Sequence, residues 1–489
     1  MVTLSRETLP HIDQRVGRPD YLAEERSASI VHFGVGGFHR SHQAMFIDRL
    51  LTAGHRDWAI CGVGVLPFDR AIRDALAHQD GLYTLVTTSE DGTSAAQIIG
   101  SIAEYLYYPD NPQAVLDKLA HPSTRIVSLT ITEGGYGVTD TTGEFEPTDE
   151  LTIGDLTSDR IPCSVLGLIV DGLARRRRDG VPPFTVVSCD NIQGNGHVAR
   201  TAVTAFARHK DPGLAEWIDE RVAFPNSMVD RITPVTTEQT RAMVRDEYGI
   251  DDAYPVLAEA FAQWVIEDDF SMGRPPLEEV GVHIVDDVEP YELMKLRLLN
   301  ASHQAMAFTG ILAGYTFVHE VCRQSLFEDF LMGYMRDEAV PTLRPVPGVD
   351  LDAYCRQLVE RFTNEAILDT LARLAVDASD RIPKFLLPVI RAQVARGGQT
   401  QHATLALASW SLYLDQHSGD DASTPIVDTR RSGLLAAVRS EGETPGAFLD
   451  YRDVFGDLGA EQSVRDEFVH WRQVIAEEGI LAAMSRVTA

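Results

Sequence analysis

Short apolar runs alternate with amphipathic stretches over the first part of the chain. SIVHF (Ser29–Phe33) is an apolar run that ends in Gly34-Val35-Gly36-Gly37, the pattern of a buried strand entering a glycine turn. A helical pattern follows over about Ser41–Leu51. Further strand-like runs are Trp58–Val65, Leu82–Thr87, Arg125–Thr132 and Phe184–Ser188, with helix-like segments between several of them. Strands alternating with helices predict a parallel sheet covered on both faces. Beyond about residue 285 helical patterns take over: Glu292–Gly310, Leu326–Met335, Leu351–Leu374, Pro383–Arg396, Thr404–Leu414 and Gln462–Glu477. The change of character places a domain boundary near Asp286-Asp287. No internal repeat or low-complexity segment stands out.

Composition narrows the class. A chain of 489 residues, 44% apolar and 24% charged, is an ordinary globular protein too long for one core. With 43 Lys and Arg against 72 Asp and Glu, the net charge is −29. That field argues against nucleic acid and anionic membrane surfaces as partners. No apolar run is long enough to cross a bilayer, and the N-terminal MVTLSRETLPHIDQ has no apolar core of a secretory signal. Cys61, Cys163, Cys189, Cys322 and Cys355 are odd in number and scattered, which predicts free thiols in a reducing cytoplasm. Arg175–Arg178 is read as a cationic helix C-terminus rather than a phosphate patch, given the acidity of the rest.

The glycine turn FGVGGFHRSH carries the first candidate chemistry. Glycines between a strand and a helix let the backbone approach a pyrophosphate, which the helix start then meets with its N–H groups. The stretch departs from G-x-G-x-x-G, with His39 where the third glycine is expected. Beyond the next strand stands Asp69, placed to accept hydrogen bonds from the adenosine ribose and to repel a 2′-phosphate, which favours NAD. These features define the N-terminal part, residues 1–285, as a Rossmann-type dinucleotide-binding domain of an α/β protein. Residues 286–489 form a mostly α-helical substrate and catalytic domain. His39 and His42 are three apart, but no carboxylate or cysteine stands at a fitting distance to complete a metal site, and a role at the phosphate turn or helix start is favoured.

The second candidate lies in KLRLLNASHQA, Lys295–Ala305. At about 100° per residue, Asn300 projects about 140° from Lys295, His303 about 80° and Glu292 about 60°. Four polar groups on one side of a mostly apolar helix suggest the floor of a site. The set suits alcohol oxidation. A desolvated lysine with a lowered pKa takes the hydroxyl proton, and an asparagine amide stabilises the alkoxide. His303 holds the reacting or a neighbouring hydroxyl, and Glu292 passes the proton toward solvent. The competing reading is an i,i+3 ion pair of Glu292 with Lys295 and local bonds for the other two. SCDN places Asn191 just after an apolar strand, and PNSMVDRITP carries Asp230 and Arg231 between prolines; either is a site loop or an ordinary turn.

Taken in order, GVGGFHRSHQA, SLTITEGGYG, SCDNIQGNG, FPNSMVDRITP and the spacing Lys-x4-Asn-x2-His resemble the polyol-specific long-chain dehydrogenases over nearly the whole chain. The resemblance implies NAD as cofactor and interconversion of D-mannitol and D-fructose without a metal. It implies Lys295 as general acid/base, Asn191 and Asn300 on the reacting oxygen, and His303 and Asp230 at the substrate. Gly34, Gly36, Gly37, Phe38 and Asp69 face NAD, and Arg373 contacts the polyol chain. The family often carries a lysine where VDASDRIPKF offers Arg381 and Lys384, and both remain candidates. Relatives act on arabinitol, sorbitol or sugar acids such as fructuronate and tagaturonate. TITEGGYG and WAICGVG look more like the polyol branch.

Overall fold

The computed structural model describes residues 1–139, 142–419 and 425–489. The chain divides into two compact units, Met1–Ser89 with Thr93–Glu289 and Glu90–Gly92 with Pro290–Ala489.

The first unit is built on a five-stranded parallel sheet of β1 (Ala28–Phe33), β2 (Ala59–Gly64), β3 (Ile102–Tyr107), β4 (Ile126–Leu129) and β5 (Thr185–Ser188), in the order β3-β2-β1-β4-β5. Every residue of β1 and β2 is buried, as expected of central strands covered on both faces. Alternation sorts their side chains. Ile30, Ile60, Ile126 and Val187 face one core with helix Gln43–Thr52, whereas Val31, Phe33, Cys61, Val63, Val127 and Leu129 face another with helices Pro112–Ala120 and Val165–Asp179. The strand order reverses between β1 and β4, which is where such sheets bind ligands. The expected Rossmann-type architecture is therefore observed. Two differences matter. Leu82–Thr87 corresponds to Tyr83–Thr88, which lies outside this sheet and pairs with Ser94–Ile99 and Val256–Glu259. β3, at the sheet edge, escapes the apolar-run test because Glu104 interrupts IAEYLY.

The arginine run closes helix Val165–Asp179, which Gly180 ends in the left-handed conformation. Arg176 is buried and donates to the carbonyls of Leu119, His121, Thr124 and Pro182, so one cation of the run binds a loop rather than solvent.

The second unit is helical, as expected. Helix Gln401–Gln416 is buried along nearly its whole length and packs against Ala301–Leu312 and Gln462–Glu478. The predicted single helix Leu351–Leu374 is instead Leu351–Phe362 followed by Leu371–Leu374. Asn364 breaks it by accepting the Ala366 N–H, and the Thr370 hydroxyl caps the second piece by accepting from Arg373 N–H. The stretch Pro383–Arg396 likewise begins earlier, as Ala378–Phe385 and Leu387–Arg396, with Pro383 and Pro388 removing ladder donors.

Candidate active site

In the first unit the glycine turn leaves β1 at its C-terminal end. Gly34 has φ +90°, and a Cβ there would stand 2.0 Å from the Thr130 carbonyl oxygen, so no other residue fits. The Gly36 N–H bonds to Gly34 O, and helix Gly37–Ser41 follows at once. Gly36 is exposed and Gly37 and Phe38 are half-buried, so a phosphate can approach this helix start. The predicted helix start at Ser41 is thus four residues late, and the helix breaks at His42 before Gln43–Thr52. Phe38 stacks on His42, whose ring nitrogens meet Gln263 O and the Gln43 amide. His39 stacks on His32 at 3.4 Å. Both buried rings pack the turn from below, and burial holds the His32 imidazole down at about 3.

Asp69 stands at the first position of helix Asp69–His78, beyond β2. Its Oδ2 accepts the N–H groups of Val65 and Leu66 at 2.9 and 2.8 Å, which shapes the loop at the strand's end. Burial raises this carboxyl above its ordinary range against the pull of those two bonds.

The SCDN stretch leaves β5. Asp190 accepts from the N–H of Ile131 and of Thr132 and from the Tyr136 hydroxyl at 2.6 Å, so its carboxylate ties this loop to TITEGGYG. Thr132 is held at φ +64°, a conformation that costs about 1–3 kcal/mol and persists only where its surroundings impose it. Asn195 anchors the other side by donating to Asp190 O and Ser227 O. Asn191 lies exposed on this braced loop. PNSMVDRITP is partly a strand, β6 (Ser227–Asp230), rather than a turn. The Ser227 hydroxyl donates to Ser188 O at the end of β5, and the Thr233 hydroxyl lies 2.7 Å from that of Ser41 beside the glycine turn. Buried Asp230 stands between these two contacts. Arg231 is structural: its guanidinium donates to Glu259 O and Ser41 O. The sheet's C-terminal edge thus gathers Gly34–Phe38, the Asn191 loop and Asp230.

In the second unit the KLRLLNASHQA helix is not a regular α-helix. Glu289–Met294 runs into a π turn, Lys295–Asn300, and on into Ala301–Leu312, with the Ala301 N–H bonded to Leu296 O five residues back. A π turn inserts one residue into an α-helical register, and such turns are frequent at functional sites. The effective spacing after it shortens by one residue. Asn300 moves from about 140° to about 40° from Lys295, and His303 from about 80° to about 20° on the other side. The three side chains therefore form one row, tighter than regular helical spacing predicts. Glu292 lies one turn before Lys295. Glu292, Lys295 and Asn300 are all buried, at 6%, 8% and 9% exposure, and the Asn300 amide oxygen has no hydrogen-bond partner among the described residues. The His303 ring packs on Phe362 at 4.8 Å.

One turn on, the Gln304 amide donates to Leu374 O, bringing helix Leu371–Leu374 against this one. Arg373 there makes a bidentate pair with buried Asp369, which holds its guanidinium firmly charged. Arg381 donates to the carbonyls of Arg373 and Leu374, both at 3.3 Å, so the two arginines lie together. Lys384, one turn after Arg381, is exposed.

Two family models match this chain: a mannitol dehydrogenase Rossmann domain over residues 28–279 and a mannitol dehydrogenase C-terminal domain over 287–475. The chain belongs to the mannitol dehydrogenase family. The mannitol 2-dehydrogenase of Aspergillus fumigatus is 46% identical over 467 residues, 94% of this chain and 92% of that protein. The solved Pseudomonas fluorescens mannitol 2-dehydrogenase, a ternary complex with NAD and D-mannitol, is 42% identical, with TM-score 0.89 and 99% of each chain covered. A D-sorbitol dehydrogenase in substrate-free form matches with the same TM-score at 35% identity, over 98% of this chain and 100% of that one. Within this mannitol dehydrogenase fold, sequence reasoning missed Tyr136, Thr130 and Thr233, which fix the turn and loops. The TITEGGYG motif contains the first two, but nothing in a motif reveals what a hydroxyl bonds to.

Proposed function

We propose that this chain is an NAD-dependent polyol dehydrogenase that interconverts D-mannitol and D-fructose by hydride transfer at C2, without a metal ion. The row of Lys295, Asn300 and His303 on the π turn carries the reading: a buried lysine amine and a buried carboxamide lie on one side of the helix. NAD, when bound, supplies the hydride acceptor. The Gly34–Phe38 turn offers it backbone N–H groups, and the Asp69 carboxylate at the end of β2 suits the ribose hydroxyls. Lys295 Nζ takes the hydroxyl proton during oxidation and returns it during reduction, and Glu292 relays it. The Asn300 amide, and in the same role that of Asn191, donates to the reacting oxygen. His303 binds a hydroxyl of the substrate, and Asp230 and Arg373 bind the polyol chain with Arg381 or Lys384. Among the described residues no three His, Cys, Asp or Glu side chains gather as metal ligands, and lysine and amide chemistry assigns every proton without one. Among the described residues no helix is long and apolar enough to cross a membrane. The five free cysteines favour a reducing cytoplasm.

The test is NADH oxidation with D-fructose on EDTA-treated protein, beside Lys295→Ala. Turnover survives EDTA, and the variant loses about 10²–10⁴-fold, the usual worth of a general acid/base, with NADH binding retained. Full activity in Lys295→Ala defeats the assignment. Turnover with fructuronate but not fructose moves the chain to sugar acids, with Arg381 and Lys384 as the first residues to test.

A further inference from the structure

The π turn has a consequence for the backbone ladder. Along an α-helix each N–H bonds four residues back, and along a π turn five. Where the second pattern returns to the first, one carbonyl is passed over. Here Ala301 N–H reaches Leu296 O, and the α-helix resumes from Ala301. The carbonyl passed over is that of Arg297. The Tyr334 hydroxyl donates to this oxygen at 3.0 Å.

Tyr334 is fully buried, and burial lifts its phenol well above the ordinary range, so it remains a donor at any working pH. Its own backbone is braced. It opens a second π turn, Tyr334–Ala339, in which the Gln393 amide donates to the carbonyls of Asp337 and Glu338. Fully buried Glu338 accepts from His402 N–H, His402 Nδ1 and Ala403 N–H at 2.6, 2.9 and 2.9 Å. Arg297 is held a second way, its guanidinium donating to Thr342 O and Oγ1 at 2.7 and 3.0 Å.

We propose that Tyr334 is a positioning residue for catalysis: by satisfying the Arg297 carbonyl it holds the extra residue of the π turn in place and so keeps Lys295 and Asn300 in one row. Without that donor, a regular α-helix removes the unmet carbonyl and rotates Asn300 away from Lys295 by about 100°. The proposal rests on the reading of Lys295 and Asn300 as the reacting groups.

Tyr334→Phe keeps the ring and removes the hydroxyl. Four quantities are read: kcat in both directions, its pH profile, NADH affinity, and amide hydrogen exchange of the peptide spanning 295–305. The proposal expects kcat down at least tenfold, an altered pH profile, NADH affinity within twofold, and faster exchange confined to that peptide. Unchanged exchange, or faster exchange with unchanged kcat and pH profile, overturns it. Where Tyr334→Phe does not fold, replacement of Tyr334 by 4-fluorophenylalanine, which keeps the shape of the side chain and lacks the donor to Arg297 O, is judged by the same quantities. Absence of turnover in the parent protein defeats the functional reading instead, and the exchange of the 295–305 peptide still decides whether Tyr334 holds the turn.

Discussion

Replacing Tyr136 by phenylalanine takes one oxygen from the middle of a buried network. Its hydroxyl donates to Asp190 Oδ2 at 2.6 Å and lies 2.7 Å from Ser188 Oγ, with the side chain 0% exposed. A hydrogen bond to an ionised group contributes about 1.5–3 kcal/mol, one between neutral groups about 0.5–1.5. Where Asp190 is ionised, the loss is about 2 kcal/mol. Burial holds the Asp190 carboxyl above the ordinary aspartate range, while the Tyr136 bond pulls it down. Removing the hydroxyl lifts it further. A carboxyl raised on folding contributes stability that is full at low pH and is lost as pH rises through its folded value. The cost of Tyr136→Phe therefore rises with pH through the range in which Asp190 titrates. Urea unfolding followed by far-UV circular dichroism, in a pH series from 4 to 8, measures it. Asn191 follows Asp190 directly, so on the role proposed for Asn191 kcat falls as well. A cost below about 0.5 kcal/mol at the alkaline end, or one independent of pH across the series, refutes the reasoning.

Two further outcomes follow from single positions. Gly34→Ala places a Cβ 2.0 Å from Thr130 O at φ +90°, so NADH affinity, read by fluorescence titration, falls at least about tenfold and stability drops by about 3 kcal/mol; wild-type affinity refutes the role of the turn. His32 is neutral in the fold, its imidazole held at about 3 against 6.5. The unfolded chain takes up the extra proton below 6.5, so stability attributable to His32 is full above that pH and is lost on acidification at about 1.4 kcal/mol per unit. His32→Gln removes this share of the acid sensitivity, and an unaltered slope between pH 6.5 and 5.5 in urea unfolding counts against it.

Much of the fold was legible because burial writes itself locally. Central strands covered on both faces read as unbroken apolar runs, so β1, β2, β4 and β5 stand out, as does the glycine turn that Gly34 alone can make. β3 does not, because an edge strand tolerates Glu104. Lys295, Asn300 and His303 were legible as a set, but their geometry was not. Helical periodicity fans them over about 140°, and the π turn draws them into a row.

The sequence by itself determined which stretches turn, pair and bury, since those depend on neighbours a few residues away. The tertiary structure decided how the candidate groups are aimed. The donor that meets the Arg297 carbonyl comes from Tyr334, 37 residues on, and the one that braces Asp190 from Tyr136, 54 residues back. Single hydrogen bonds between distant segments have no periodicity, and they exist only once packing has excluded the water that would otherwise satisfy both partners.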